Sequence, residues 1–455
     1  MSTDSTTAKS TRHAWRPLAV VLLVTLAVRV GALVAMHQRL NDDPDAYRQI
    51  AQGLLRSGVY TCDIELDSSE VPGEISPSAY RPPLYPLLLT KLARGNHVPP
   101  LAIGVLQVVL GLLTVALTYR LAWEWQLGAW SSLAALLVAL DPILINQAVL
   151  VMTETLATLL AVVCLWQLTR YSARPSLWNA LWSGAMLGLA VLCRPTFLPW
   201  AGLIGLVTLA QPARPSGWLL RIATFASGVL LLLAPWMVRN QSVLHSPITT
   251  TTHGGYTLFL ANNPGFYEYL RSGDQAVAWA PTRREMRGYR DRLPPEVSAR
   301  LEQRFGSLSG AKQLVSLPDE LVIDIQYNEL ARWSIWQDPG MFAYSCLVRT
   351  YYLWSPLPQK TAQLESTYRA LARYLTALWY LGVYLLAIGG LCKLRWQTLR
   401  TPWIWGITLG LTFTLLHAVY FSNLRMRAPL MPVVALLATA ALVPKSAFER
   451  QETGN

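Results

Sequence analysis

The stretch "LAVVLLVTLAVRVGALVAMHQRLNDDPDAYRQIAQGLLRSGVY", residues 18–60, runs from an apolar segment through a carboxylate cluster into an amphipathic one. Leu18 to Met36 is long enough to cross a hydrocarbon core, which takes about 17 to 25 apolar residues. Asp42, Asp43 and Asp45 follow almost at once. Tyr47, Ile50, Ala51, Leu54 and Leu55 then recur at helical spacing, with Arg48, Gln49, Gln52 and Arg56 opposite, so a helix lying on the membrane surface is expected. Asp43 followed by Pro44 reads as its N-cap and first position, and Gly58 as its end. A span that opens directly onto three acids suggests chemistry at the mouth of a membrane helix.

Composition carries this outward. Of 455 residues 53% are hydrophobic and 14% charged, against roughly 25% charged in ordinary soluble domains. Apolar windows predict about ten spans: Leu18 to Met36, Leu101 to Leu121, Ala129 to Ile145, Val149 to Leu168, Leu177 to Cys193, Phe197 to Leu209, Ile222 to Val238, Tyr374 to Cys392, Trp403 to Tyr420 and Pro429 to Val443. The fold class expected is therefore an all-α polytopic membrane protein with interfacial helices. The net charge of +12 does not point to nucleic acid, because the basic residues are scattered between spans. Lys9, Arg12 and Arg16, Arg170 and Arg174, Arg214 and Arg221, Lys393, Arg395 and Arg400, and Lys445 fall in alternate connections. That is the positive-inside pattern, and it predicts both termini in the cytoplasm. The first span has no small-residue cleavage site and reads as retained. Five scattered cysteines offer neither a disulfide framework nor a metal motif, and the eighteen tryptophans read as interfacial belts.

This topology divides the chain into 1–238, a membrane domain with a first extracytoplasmic segment at 37–100; 239–370, an extracytoplasmic loop with interfacial helices; and 371–455, the C-terminal membrane helices. Pro83 to Leu92 is too short to cross and is expected at the interface. In "TTTTHGGYTLFLANNPGFYEY" the Gly, Asn and Pro residues between Gly254 and Gly265 read as turns, hence an irregular lid, followed by a mixed-charge stretch with Arg283, Arg284, Arg287, Arg290 and Arg292. His253 reads as a loop residue, and "MFAYSCLVRTYYLWSP" as interfacial.

The outward ends of the spans collect Asp43, Arg81, Glu154, Arg194, Arg239, Arg349, Arg425 and Arg427. Charges at membrane depth are costly, and arginines on the outer side run against the positive-inside bias, so an anion should compensate them. A phosphate fits, since guanidinium groups match its oxygens bidentately. A carboxylate beside a bound phosphate is the arrangement for moving a group from that phosphate to a hydroxyl or amine. The plainer roles are a cap for Asp43, solvated or first-turn charges for Asp42 and Asp45, an interface anchor for Arg81, and ion pairs for Glu154, Arg194, Arg425 and Arg427.

Asp43 through Tyr47 with "LLRSGVY", then "RPPLYPLLL", "VMTETLATLL", "GLAVLCRPTFL", "LFLANNPG" and "RMRAPLMPVVALL", in this order, resemble bacterial relatives of the protein O-mannosyltransferases and lipid A aminoarabinose transferases. These are polyprenyl-phosphate-sugar-dependent enzymes of the C-type glycosyltransferase fold. The resemblance implies Asp43 as catalytic base, with Pro44 where many relatives carry Glu; Arg81, Arg194, Arg425 and Arg427 as ligands of the donor phosphate; and Glu154, Tyr47, Asn262 and Asn263 as residues orienting substrate. It implies inverting transfer of a sugar from a polyprenyl-phosphate carrier to a lipid, glycan or protein acceptor outside the cytoplasmic membrane, with no metal or other cofactor and no nucleic acid. The alternatives are a transporter or flippase of a lipid-linked saccharide, which would carry its charges near midspan, and a catalytically dead scaffold.

Overall fold

The computed structural model describes residues 4–62, 76–210, 217–273, 277–305 and 319–444, and among these it is helical with no strand. Arg214 and Lys445, two of the topology-setting basic residues, lie outside the described residues. The membrane helices are α1 (Asp4–Met36), α4 (Pro100–Glu124), α5 (Ser131–Ala139), α7 (Glu154–Ala173), α8 (Leu177–Cys193), α9 (Leu198–Ala210), α10 (Trp218–Leu244), α17 (Thr367–Leu394), α18 (Trp403–Val419) and α19 (Met431–Leu442). Short helices lie between them: α2 (Tyr47–Ser57), α3 (Leu84–Thr90), α6 (Pro142–Gln147), and a group comprising α11 (Gly254–Ala261), α12 (Pro264–Arg271), α13 (Arg283–Asp291), α14 (Pro295–Phe305), α15 (Asp319–Gln337) and α16 (Pro339–Trp354).

All ten apolar windows fall on helices. Six segments are long and apolar enough to cross a membrane unaided, and four apolar helices of this set are shorter. The third window is not one helix. Asp141 ends α5 and caps α6, accepting the Leu144 N–H at 2.9 Å, and Pro142 occupies the first position of the new helix. The last span is the most enclosed of the six, with 83% of its most apolar window buried.

Glycines set the closest helix contacts. A Cβ on Gly184 would run into the Phe225 carbonyl and one on Gly228 into the Leu181 carbonyl, so α8 and α10 touch backbone to backbone. Without a hydrophobic driving force between spans, such small residues permit the close van der Waals packing that holds them.

Deep in the bundle lies a polar network closed off from the surface, in which Arg29 Nε and Arg427 Nε and Nη2 lack a hydrogen bond. Arg427 is fully buried, donates to the carbonyls of Leu353 at 2.8 Å and Ser355 at 2.7 Å, and stands 4.2 Å over the Tyr380 ring. Tyr380 donates its hydroxyl to Asp141 at 2.9 Å, and Arg29 donates to the Leu144 carbonyl. Each group ties the backbone of one helix to another.

The amphipathic segment forms the expected helix, but its start differs. α2 begins at Tyr47, and its N-cap is Ala46, in the left-handed region at φ 60°. The Asp43 carboxylate nevertheless reaches the first turn, accepting the Gln49 N–H at 2.9 Å. Arg48 pins the preceding turn by donating to the carbonyls of Leu40 and Asn41 at 3.0 and 2.6 Å. Gly58 closes α2 at φ 71°, its N–H on the Leu54 carbonyl. The face expected against lipid is instead packed in the core with α3, where Tyr47 meets Tyr85 edge to face at 5.3 Å.

Candidate active site

A cavity of about 670 Å³ opens between one end of the bundle and helices α11 to α15. Its wall on the bundle side is an alternating ladder of charge. The Asp45 carboxylate pairs with Arg81 at 2.7 Å and with Arg425 at 3.8 Å. Arg425 reaches Glu154 at 3.7 Å, and Glu154 reaches Arg194 at 3.4 Å. All five side chains line the cavity.

Local structure explains how they converge. Asp45 sits in the turn closed by the Ala46 N–H on the Asp43 carbonyl at 3.1 Å. The left-handed Ala46 costs energy and persists because the Asp43 side chain holds the following turn. Arg81 precedes the Pro82–Pro83 pair, and its Nε also donates to the Asp45 carbonyl at 3.1 Å. Glu154 opens α7, buried in its first turn. Arg194 ends α8 in extended conformation, as expected before Pro195. Arg425 lies in the 3₁₀ turn Leu424–Leu430 that leads into α19.

The long contacts matter. Three of these ion pairs exceed 3.3 Å, and Glu154 Oε2, Arg194 Nη1 and Arg425 Nε are buried without a hydrogen bond. A buried polar group left so costs about 1–3 kcal/mol.

The two neighbouring aspartates are in opposite states. Burial pushes the Asp45 carboxyl up, but Arg81 and then Arg425 outweigh it and hold it below the ordinary value. Burial dominates at Asp43 and raises it, against the N–H groups of Gln49 and Arg48. Asp43 Oδ1 is buried with no hydrogen-bond partner. Asp43 itself does not line the cavity; Pro44 and Asp45 beside it do.

Of the other residues singled out from sequence, Tyr47 lines the cavity, with the Arg81 guanidinium 5.7 Å from its ring centre. Asn262 and Asn263 are fully buried away from it: Asn262 donates to the carbonyls of Leu258 and Val419, and Asn263 caps α12 through the Phe266 N–H. Arg427 belongs to the closed network described above. Arg349 donates to the carbonyls of Ala261 and Ala418, and Arg239 to those of Ser78 and Tyr60. The stretch Gly254 to Gly265 is not an irregular lid but two helices joined by the asparagines. Gly255 lets α11 lie against α15, since a Cβ there would meet the Asp324 carbonyl.

Several cavity residues carried no sequence signal of their own. Glu320 accepts hydrogen bonds from Ser78, the Ala79 N–H and Thr252 at 2.7, 2.6 and 3.0 Å, closing the segment before Arg81 onto α15. His253 stacks on Tyr256 at 4.8 Å and meets Tyr80 at 4.6 Å, and burial followed by Arg81 holds its imidazole well below its usual value, hence neutral.

Comparison with known proteins places this geometry. Residues 80–238 match the family model for dolichyl-phosphate-mannose-protein mannosyltransferase. The archaeal oligosaccharyltransferase AglB of Archaeoglobus fulgidus, solved with an inhibitory peptide and a dolichol-phosphate, superposes with a TM-score of 0.51 at 13% identity over 98% of this chain and 51% of that one. The fold is that of the C-type glycosyltransferases. An Archaeoglobus fulgidus oligosaccharyltransferase in the apo form gives a TM-score of 0.51 at 14% identity, covering 97% of this chain and 52% of that one, so this chain spans about half the length of the oligosaccharyltransferases it resembles. ArnT from Cupriavidus metallidurans, bound to undecaprenyl phosphate, aligns at 17% identity over 93% of this chain and 77% of its own, with a TM-score of 0.37. No curated protein matches the sequence.

Proposed function

We propose that the chain is a membrane glycosyltransferase that moves a sugar from a polyprenyl-phosphate carrier to an acceptor hydroxyl or amine, on the outer face of the cytoplasmic membrane with both termini inside. The observation that carries this reading is the ladder of Arg81, Arg425 and Arg194 with Asp45 and Glu154 on the wall of a 670 Å³ cavity. The family model matched by residues 80–238 and the dolichol-phosphate bound by the similarly folded oligosaccharyltransferase support it.

In this reading Arg81, Arg194 and Arg425 bind the donor phosphate. The acceptor oxygen attacks the anomeric carbon, the bond from that carbon to the phosphate oxygen breaks with inversion, and the polyprenyl phosphate leaves with one more negative charge. Preorganised guanidinium groups stabilise that charge as it develops. Asp43 does not itself line the cavity, so the acceptor proton reaches it through one intervening water, and its raised basicity and unpartnered Oδ1 suit that role. Asp45, held anionic between two arginines, orients them instead.

The test pairs two variants. Asp43→Asn should cut transfer by roughly 10²- to 10⁴-fold, the usual worth of a general base, while donor binding persists. Asp45→Asn should weaken donor binding first. In cells carrying Asp43→Asn, mass spectrometry should find one sugar addition lost and its carrier-linked form accumulated. A transporter or scaffold would leave both unchanged. Full transfer by Asp43→Asn with none by Asp45→Asn would move the base to Asp45, the carboxylate that faces the cavity.

A further inference from the structure

The wall opposite the ladder carries a second cationic face. Arg283, Arg287 and Arg290 line the cavity from α13, and their spacing puts them on one side of that helix, where Arg290 also pairs with Asp291 at 3.3 Å. The other side is anchored: Met286 is fully buried, and Tyr289 packs with Phe259 at 5.5 Å. The orientation of the three arginines is therefore set by the core beneath them. A capping box between Thr282 and Glu285 fixes the start of the helix.

Between the two cationic ends runs a row of rings. Arg81 stands 4.7 Å from the centre of Tyr80; Tyr80 meets His253 at 4.6 Å, His253 stacks on Tyr256 at 4.8 Å, and Tyr256 meets Tyr327 at 5.3 Å. At the far end Tyr327 shares a core cluster with Met286 and Tyr289 of α13, both tyrosines packing on Phe259 at 5.5 Å, so the row ends beside that helix. All four rings line the cavity. Aromatic faces beside polar groups suit the flat apolar faces of sugars, and guanidinium groups suit carboxylate or phosphate.

We propose that the acceptor is an anionic saccharide that lies beside Tyr80, His253, Tyr256 and Tyr327, whose planes turn by 67°, 27° and 82° from one ring to the next, and whose charged group, remote from the attacking atom, seats on Arg283, Arg287 and Arg290. The inference rests on the glycosyltransferase reading in taking the Arg81 end for the donor. The α13 arginines then choose the acceptor and leave the donor to the ladder.

The full-length protein in nanodiscs, saturated with farnesyl phosphate, is titrated with methyl glucuronide, glucose 6-phosphate and neutral methyl glucoside. Both anionic sugars should bind about tenfold more tightly than the neutral one, a modest return for charge-assisted hydrogen bonds. The triple variant Arg283→Gln, Arg287→Gln, Arg290→Gln should lose that preference and keep wild-type affinity for farnesyl phosphate. Tyr256→Ala should weaken all three sugars alike. Equal binding of charged and neutral sugars, a preference that survives the triple variant, or equal competition by an acidic peptide overturns the proposal. Failure of Arg81→Gln to weaken farnesyl phosphate counts against the donor reading, and the sugar preference is then read without the lipid.

Discussion

Two arginines two residues apart, Arg425 and Arg427, have opposite fates. Arg427 is sealed into the bundle, its Nη1 on the carbonyls of Leu353 and Ser355 and its guanidinium on the Tyr380 ring, while its Nε and Nη2 are buried without a hydrogen bond. Arg425 stands at the cavity, its contacts to Asp45 and Glu154 both longer than 3.6 Å and its Nε without a hydrogen bond. The same contrast separates the two charged regions as wholes. The network of Arg29, Asp141, Tyr380 and Arg427 sets its charge on backbone carbonyls, a hydroxyl and a ring, with Arg29 Nε and Arg427 Nε and Nη2 left without a hydrogen bond, whereas the ladder joins one close pair, Arg81 with Asp45 at 2.7 Å, to three longer ones on the wall of a cavity. What separates the two arginines is their surroundings: Arg425 lines the cavity, and Arg427 is fully buried away from it.

The largest effect that tests this contrast is on stability. Arg427→Met removes the cation and strands two buried carbonyls, so it should cost about 3–5 kcal/mol, as breaking a buried ionic network does. Thermal and denaturant unfolding of the detergent-solubilised protein measure it. A variant as stable as the wild type would show that the closed network does not hold the bundle, and the contrast would collapse.

Arg425→Gln should do the reverse. Losing one charge-assisted contact to the donor phosphate is worth about 1.5–3 kcal/mol, or roughly ten- to a hundredfold in polyprenyl-phosphate affinity. Stability should change by less than about 1 kcal/mol, because long pairs contribute little. If unfolding shifts as far as it does for Arg427→Met, Arg425 is structural too.

This pair also shows where sequence reasoning stopped. The motif "RMRAPL" offers two basic residues with the same expected role, but a 3₁₀ turn has three residues per turn, so positions two apart face different ways. Nothing in the local pattern says which faces the cavity. Asp43 and Asp45 repeat the problem: their roles depend on a left-handed Ala46, and alanine gives no warning of that conformation. The ten apolar windows were legible because hydropathy and length are local properties. Their interruption at Asp141 carried a cue, an aspartate before a proline, hidden within an apolar run. Asn262 and Asn263 suggested ligands but serve as helix caps, the role their residue type favours most. The arginines of α13 were visible as a mixed-charge stretch, but their shared face appears only once Met286 and Tyr289 are packed.

The smallest expected effect sharpens the comparison on the far wall of the cavity. Asp324 accepts the Gly255 N–H at 2.6 Å, and burial raises its pKa from 3.8 to about 6 despite that bond. An acid whose folded pKa lies above its unfolded value adds stability in full below about pH 3.8, and that stability is lost as pH rises through about 6. Between those limits the wild type should lose on the order of a few degrees of Tm relative to Asp324→Asn, whose amide cannot ionise. The closed network should be insensitive to this variant, so Arg427→Met should show the same pH slope as the wild type. A slope that persists in Asp324→Asn would assign the titration to another buried acid of the cavity, Glu320 first, since burial raises it as well. A slope that vanishes in Arg427→Met would mean that the two charged regions unfold as one coupled unit, and their division of labour would then be one of geometry without independence of energy.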